Sequence, residues 1–406
     1  LASFMWVGSV MTNNEPNIEQ SAIDETVAWL ITARQFKGPR QVLEELCDRL
    51  MGAGLDIYRA AVFIRTLHPS IMGRRFSWTK GVGVQMTEAP YAILDSALFQ
   101  QSTIGQVYEH GQPVRIHLDG PDFDSDYNIA DELRNEGASD YLMLPMFFSN
   151  GEIHGISWAT RQPGGFLADE LAAFEAVTPA FARATEIYAL RRTAVTFLDT
   201  YVGHGAGTRI LTGNVQRGEV QEIDAVILAA DLRGFSRYTS QHDGARVVAR
   251  LNAFFDRLVA PITEQNGEVL KFTGDGLLAI FPYEATPDLA QRCRDALSAA
   301  QTAQASIEAE LNDSNIDEAI KCGIALHPGR VLFGNVGTDS RLDFTAIGAA
   351  VNMAARLETV AGELGQDIVV SGEFVAAEGG ESGDYNSLGR FALKGFEEER
   401  EVFKPQ

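Results

Sequence analysis

KFTGDGLLAIF, residues 271–281, is the stretch on which the reading of this chain turns. A lysine enters an apolar strand pattern, Gly274-Asp275-Gly276 interrupts it, and an apolar strand leaves. Two such runs around so short a turn predict a β-hairpin. Glycines on both sides of the aspartate permit positive φ and close backbone approach, so the turn can hold a carboxylate against a neighbouring group.

Upstream, VILAADLRGFS (226–236) reads as a buried strand that ends in Asp231, followed by a helix over 245–265. Downstream come a helix from Asp288 to about Leu311, strands around KCGIALHPG and RVLFGNVG, and a helix through AAVNMAARLETVAG. Strand, helix, hairpin, helix, strand is the ferredoxin-like order, in which helices cover one face of an antiparallel sheet and leave the other free for chemistry. The first strand and the second hairpin strand can be central neighbours in that order, which brings Asp231 and Asp275 to adjacent strand ends. Paired carboxylates suit hard divalent cations, since magnesium takes one or two carboxylates together with phosphate oxygens. A metal pair about 3.5–4 Å apart activates an attacking hydroxyl and steadies a leaving oxyanion.

The first half has a different texture. Residues 20–50 read as helix, and strand patterns follow at 58–66, 74–81, 114–118, 141–148 and 152–160. Ser149-Asn150-Gly151 between the last two is a hairpin signal. This half is expected to be α+β on an antiparallel sheet, and its order of elements resembles a GAF domain, a small-molecule sensor. From Phe174 to Tyr201 the period is helical, with Ile187, Leu190, Ala194, Phe197 and Tyr201 forming a seam on which two parallel helices can pack. Pro179 is expected to kink that helix or mark a boundary. The Gly-rich GHGAGTRILTGNVQRGEVQ (203–221) reads as a loose connector. The expected domains are therefore 20–173 (GAF-like sensor or dimerisation domain), 174–223 (helical and Gly-rich linker) and 224–404 (catalytic domain).

A length of 406 residues suits two domains, and 45% hydrophobic with 22% charged residues describes a globular chain. A net charge of −22 argues against nucleic-acid or anionic-membrane partners. Cys47, Cys293 and Cys322 lack metal or disulfide spacing. No apolar run reaches bilayer-spanning length, so a cytoplasmic location is expected. Residues 1–10, ahead of Met11, are read as cloning residue outside the natural chain.

ADLRGFS, KFTGDG, HPGRVLFGNVG, FTAIGAAVNMAARLE and LKG, in this order over 224–404, resemble the catalytic domain of class III nucleotidyl cyclases. The resemblance implies that Asp231 and Asp275 bind metal, two Mg2+ or Mn2+ per site. It implies that Lys271 and Thr345 read the purine base, that Asn352 orients the ribose, and that Arg356 stabilises charge developing on the α-phosphate. Lys394 of LKG and Arg330 of GRV match phosphate-contacting residues; Phe396 stands where some members carry a second lysine. Family geometry places the metal aspartates and Arg330 on one subunit and Lys271, Thr345, Asn352, Arg356 and Lys394 on the other, which implies a homodimer with shared sites. A lysine and a threonine hydroxyl complement adenine better than guanine, so the implied substrate is ATP and the product cyclic AMP. The alternatives are a guanylate or other nucleotide cyclase and a catalytically silent dimeric sensor or scaffold. TGDG in place of GGDEF or GGEEF argues against a diguanylate cyclase. An unidentified small-molecule ligand of the N-terminal domain completes the expected partners.

Overall fold

The computed structural model describes residues 18–32, 38–120, 127–311, 321–379 and 384–406, divided into two compact units between Thr196 and Phe197. The reading of residues 1–10 as extraneous lies outside the described residues.

The first unit holds α1 (Gln20–Thr32), α2 (Pro39–Gly52), β1 (Arg59–Arg65), β2 (Ile71–Thr79), β3 (Gly83–Pro90), α3 (Ala97–Gln100), α4 (Thr103–His110), β4 (Val114–His117), α5 (Asn128–Asn135), β5 (Asp140–Phe147), β6 (Ile153–Thr160) and most of α6 (Ala168–Tyr201). Its six strands form one antiparallel sheet in the order β3-β2-β1-β6-β5-β4. Val62, Ile64, Ile156 and Trp158 on one face pack with Leu43 and Leu46 of α2 and Phe174 and Phe181 of α6. Ile104, Val107 and Leu133 of α4 and α5 pack with Tyr141 and Met143 on the other. The expected hairpin forms, with Gly151 at φ 85° and Glu152 N–H donating to the Asn150 side chain.

The expected helix over 20–50 is two helices. Gly38 has φ 143° and Pro39 opens the second, where a missing N–H costs nothing. Pro179 does not end α6: helix runs from Ala168 to Tyr201. Phe174, Val177, Ala180 and Phe181 are buried around the proline, and their packing outweighs the lost backbone bond.

The second unit holds α7 (His204–Leu211), β7 (Val220–Leu232), α8 (Phe235–Gln241), α9 (Gly244–Glu264), β8 (Glu268–Thr273), β9 (Gly276–Tyr283), α10 (Leu289–Leu311), β10 (Cys322–Thr338), β11 (Arg341–Ile347), α11 (Ala349–Leu364), β12 (Ile368–Ser371), α12 (Gly372–Glu378), β13 (Tyr385–Phe391) and β14 (Arg400–Pro405). The strand order β10-β7-β9-β8 is antiparallel throughout, as the ferredoxin-like reading requires; β12 adds parallel to β10, and β11 pairs with β10. Phe254 and Leu258 of α9 and Ala296 and Ala300 of α10 pack on Val226, Leu228 and Phe281. Each large side chain fully buried there contributes about 1.5–3 kcal/mol.

Three expectations change here. The second sheet face is not free, because Ala350, Ala354 and Leu357 of α11 pack against it with Ala225, Ala325 and Ile227. The two strands read around Pro328-Gly329 are one strand, whose register with β7 is unbroken from Cys322 to Gly334. The linker drawn over 174–223 is structured: β7 begins at Val220, and α7 is anchored by Glu268, whose carboxylate accepts from Ala206 N–H at 3.1 Å. Glycine there serves packing, since a Cβ on Gly205 would lie 2.3 Å from the Glu268 carboxylate.

Candidate active site

Asp231 lies opposite Gly276 in the β7–β9 register, and Asp275 tips the hairpin beside it. The flanking glycines have separate duties. Gly274 takes φ 71°, and a Cβ on Gly276 would fall 2.8 Å from Asp231 Oδ1 and 2.9 Å from Ala230 O. The two aspartates are thereby brought to one strand end, and Leu232 N–H closes the corner by donating to Asp275 O at 3.2 Å. Burial, reinforced by the neighbouring Asp275 charge, pushes the Asp231 carboxyl up to about 6.

A third carboxylate faces this pair from α11. Burial pushes Glu358 up to about 7, and the Asp231 and Asp275 charges add to it while Arg233 opposes. Arg233 donates to Ala361 O at 3.1 Å and to Gln366 O, which fastens the Asp231 loop to the end of α11. Neither Arg233 nor Glu358 was singled out by the sequence; their meeting, across more than 120 residues, leaves no local signature. Among the described residues no three His, Cys, Asp or Glu groups converge closely enough to hold an ion. The Asp231–Asp275 pair nonetheless fits a divalent cation, because two part-buried carboxylates at one strand end are the donor set that a hard ion completes with substrate and water oxygens.

The residues assigned to the base and ribose gather elsewhere. Lys271 on β8 pairs with Asp343 Oδ2 on β11 at 3.6 Å. Two residues along β11, and so on the same face, Thr345 is 3% exposed, and its hydroxyl has no hydrogen-bond partner among the described residues. Asp343 was also missed, since its pairing depends on the β10–β11 hairpin. Gly348 at φ 146° opens α11, on which Asn352 and Arg356 are exposed one turn apart. Arg356 precedes Glu358 by two positions, about 200° around the helix, so it points away from the face that Glu358 turns to the aspartates. Lys394 is exposed in the turn after β13, with Leu393 buried beside it.

Arg330 departs from expectation. Its guanidinium is held by Asp224, Nε to Oδ1 at 3.0 Å, with Glu222 at 3.7 Å. Its register partner Asp224 is seven positions from Asp231 along β7, about 23 Å at strand rise. Within one chain Arg330 therefore does not accompany the metal aspartates, and its charge is already matched.

With this geometry in place, comparison with known proteins is informative. A family model described as the adenylate and guanylate cyclase catalytic domain matches residues 219–404, and a GAF domain model matches residues 39–185. Adenylate cyclase 1 of Rhizobium meliloti is 30% identical over 158 residues, 38% of this chain and 23% of that protein. An uncharacterized protein of Mycobacterium tuberculosis is 30% identical over 182 residues, 45% of this chain and 31% of that protein. The chain thus spans about a quarter to a third of the length of these curated relatives. The solved adenylyl cyclase CyaB from P. aeruginosa aligns over 46% of this chain and 96% of its own, at 23% identity and TM-score 0.42, a likeness too loose to carry an argument. Motif order and family match agree that residues 219–404 are an adenylate and guanylate cyclase catalytic domain, preceded over residues 39–185 by a GAF domain.

Proposed function

We propose that the chain is an adenylate cyclase that converts ATP to cyclic AMP and pyrophosphate at sites shared between two copies, under control of its N-terminal domain. In the reaction the ribose 3'-oxygen bonds to the α-phosphorus as the bond to the β-phosphate oxygen breaks, and pyrophosphate leaves. Positioning and charge stabilisation dominate such chemistry. Asp231 and Asp275 would hold Mg2+ or Mn2+, two ions per site. Bound there, the cations would supply Lewis-acid activation of the 3'-hydroxyl and charge neutralisation for the triphosphate. Asn352 orients the ribose, Arg356 stabilises charge growing on the α-phosphate, and Lys394 holds the triphosphate. Arg330 has no part in this reading.

The observation that favours ATP is the buried, unpartnered Thr345 hydroxyl two residues along β11 from Asp343, the partner of Lys271. An ammonium donates to adenine N1 and a hydroxyl accepts from the 6-amino group, whereas guanine presents the reverse pattern. Leaving that hydroxyl unsatisfied costs about 1–3 kcal/mol, which adenine would recover. The argument for two copies is directional: Arg356 and the aspartates of one chain face different ways, and a second copy supplies the missing half. Ile187, Leu190, Phe197 and Tyr201 of the α6 seam, all exposed, give two chains an apolar surface on which to pair.

Turnover of ATP, GTP, CTP and UTP, each with Mg2+ and with Mn2+, tests the reading. Cyclic AMP and pyrophosphate in equal amounts, with ATP preferred, is the expected result. Preference for GTP would overturn the base assignment, and no cyclic nucleotide from any substrate would overturn the activity.

A further inference from the structure

We infer that the two adjoining hollows over the β1-β2 sheet face, one reaching to β6 and α5 and the other to β3 and α3, bind a small organic oxyanion, a carboxylate or phosphate monoester on an apolar body, with Arg75, their shared wall, as its counter-ion. This deepens the proposal that the N-terminal domain takes a small ligand, and it stands apart from the cyclase chemistry.

The cavity follows from which side chains the register puts on that face. Ala61 lies opposite both Ser77 and Ser157, and Arg59 lies opposite Ala159. Small residues occupy adjoining strands on this side, whereas the reverse side carries Val62, Ile156 and Trp158 in a filled core. A face selected for packing alone would carry bulk here. The smaller hollow, about 190 Å3, lies over Ala61, Ser157 and Ala159, and a second of about 320 Å3 lies toward β3 and α3; the two share Phe63, Arg75, Leu98, Ser102 and Ile104 as walls. The larger reaches the size range of small-molecule sites.

Charge gives the hollow its chemistry. Arg59 is matched by Glu132 at 2.5 Å and Glu136 at 3.5 Å, and Arg74 by Glu88 at 2.9 Å. Arg75 has no such acid among the described residues, and its Nε is closed off from solvent without a hydrogen-bond partner. Ser77 Oγ, one pleat along β2, is also buried without a partner but walls neither hollow. Buried polar groups are rarely left this way, and an unpaired guanidinium is the costlier of the two. Tyr141, whose hydroxyl lies 2.9 Å from Thr103 Oγ1, walls the smaller hollow. An oxyanion satisfies the Arg75 donors, most strongly through the guanidinium fork. Met72, Ile93, Phe99 and Tyr108 also line the larger hollow, and they would take the apolar body.

The test uses the full chain with sodium phenylacetate, phenyl phosphate and neutral phenylacetamide as probes, read by calorimetric titration and by the thermal midpoint. At least one anion is expected to bind and raise the midpoint while the amide does neither; whichever binds distinguishes carboxylate from phosphate. Arg75→Gln should weaken that binding at least about tenfold. In the absence of probe, Arg75→Met should melt no lower than the parent, because the guanidinium is kept for a ligand and not for the fold. Equal binding of amide and anion, no binding of either anion at millimolar concentration, or a lower midpoint for Arg75→Met would each overturn the inference. Anion binding that leaves cyclase turnover unchanged would uphold the site and refute only its regulatory use.

Discussion

Asp231→Asn isolates the electrostatic cost of the proposed metal site without reference to turnover. The Asp231 carboxyl rises from an ordinary value of 3.8 to about 6 in the folded chain. Between those values the folded state binds more protons than the unfolded one, so stability falls as pH rises through about 6 and stays lower above it. A two-unit shift corresponds to about 3 kcal/mol, and partial exposure of the group reduces this to roughly 1.5 kcal/mol. The asparagine variant should therefore match the parent near pH 4 and exceed it by about 1–2 kcal/mol at pH 8, with relief of Glu358 adding in the same direction. Native-state hydrogen exchange of β7 and β9 reads the opening free energy of that region. Magnesium at about ten times its dissociation constant should return about 1.4 kcal/mol to the parent at pH 8, and less to the variant. A variant less stable than the parent at pH 8, or equal protection of both by magnesium, would refute the reasoning.

Other perturbations have equally definite outcomes. Burial pushes His154 down to about 4, and its Nδ1 accepts from Arg65 N–H at 3.0 Å, so the ring is held neutral. Its contribution is whole above the unfolded value near 6.5 and is lost as pH falls toward 4, up to about 3 kcal/mol, which chemical denaturation at pH 7 and pH 5 should detect and His154→Gln should remove. Leu190→Asp on the exposed α6 seam should weaken self-association at least about tenfold by sedimentation velocity while leaving the circular dichroism spectrum unchanged. Arg356→Ala should lower kcat by about a hundredfold or more, roughly 3–4 kcal/mol, with ATP still bound.

Much of this molecule is legible because its decisive features are local. The Gly274-Asp275-Gly276 turn, the apolar run into Asp231 and the spacing of Asn352 and Arg356 are written in short windows, and the topology follows from their order. What escaped depends on partners distant in sequence. One miss was local: GVQMTEAP forms β3 although it is largely exposed, because the preceding strand β2 supplies its ladder across the turn between Thr79 and Gly83. Proline misled at Pro328, which sits inside a strand because the register on either side outweighs one missing donor, while Pro179 lies inside a helix without ending it. Glycine misled once, at α7, where it permits contact with Glu268 and not flexibility. Arg330 shows the limit of motif transfer, since a matching residue type says nothing of the Asp224 that holds it.

Mixing two inactive variants tests the shared-site account most directly. Asp275→Ala lacks the carboxylate half and Arg356→Ala the guanidinium half, so each alone should retain at most about a hundredth of parental activity. In an equimolar mixture half of the dimers are mixed and each carries one intact site of two, which predicts about a quarter of parental activity. A mixture as inactive as its components, with dimers exchanging freely, would contradict the account.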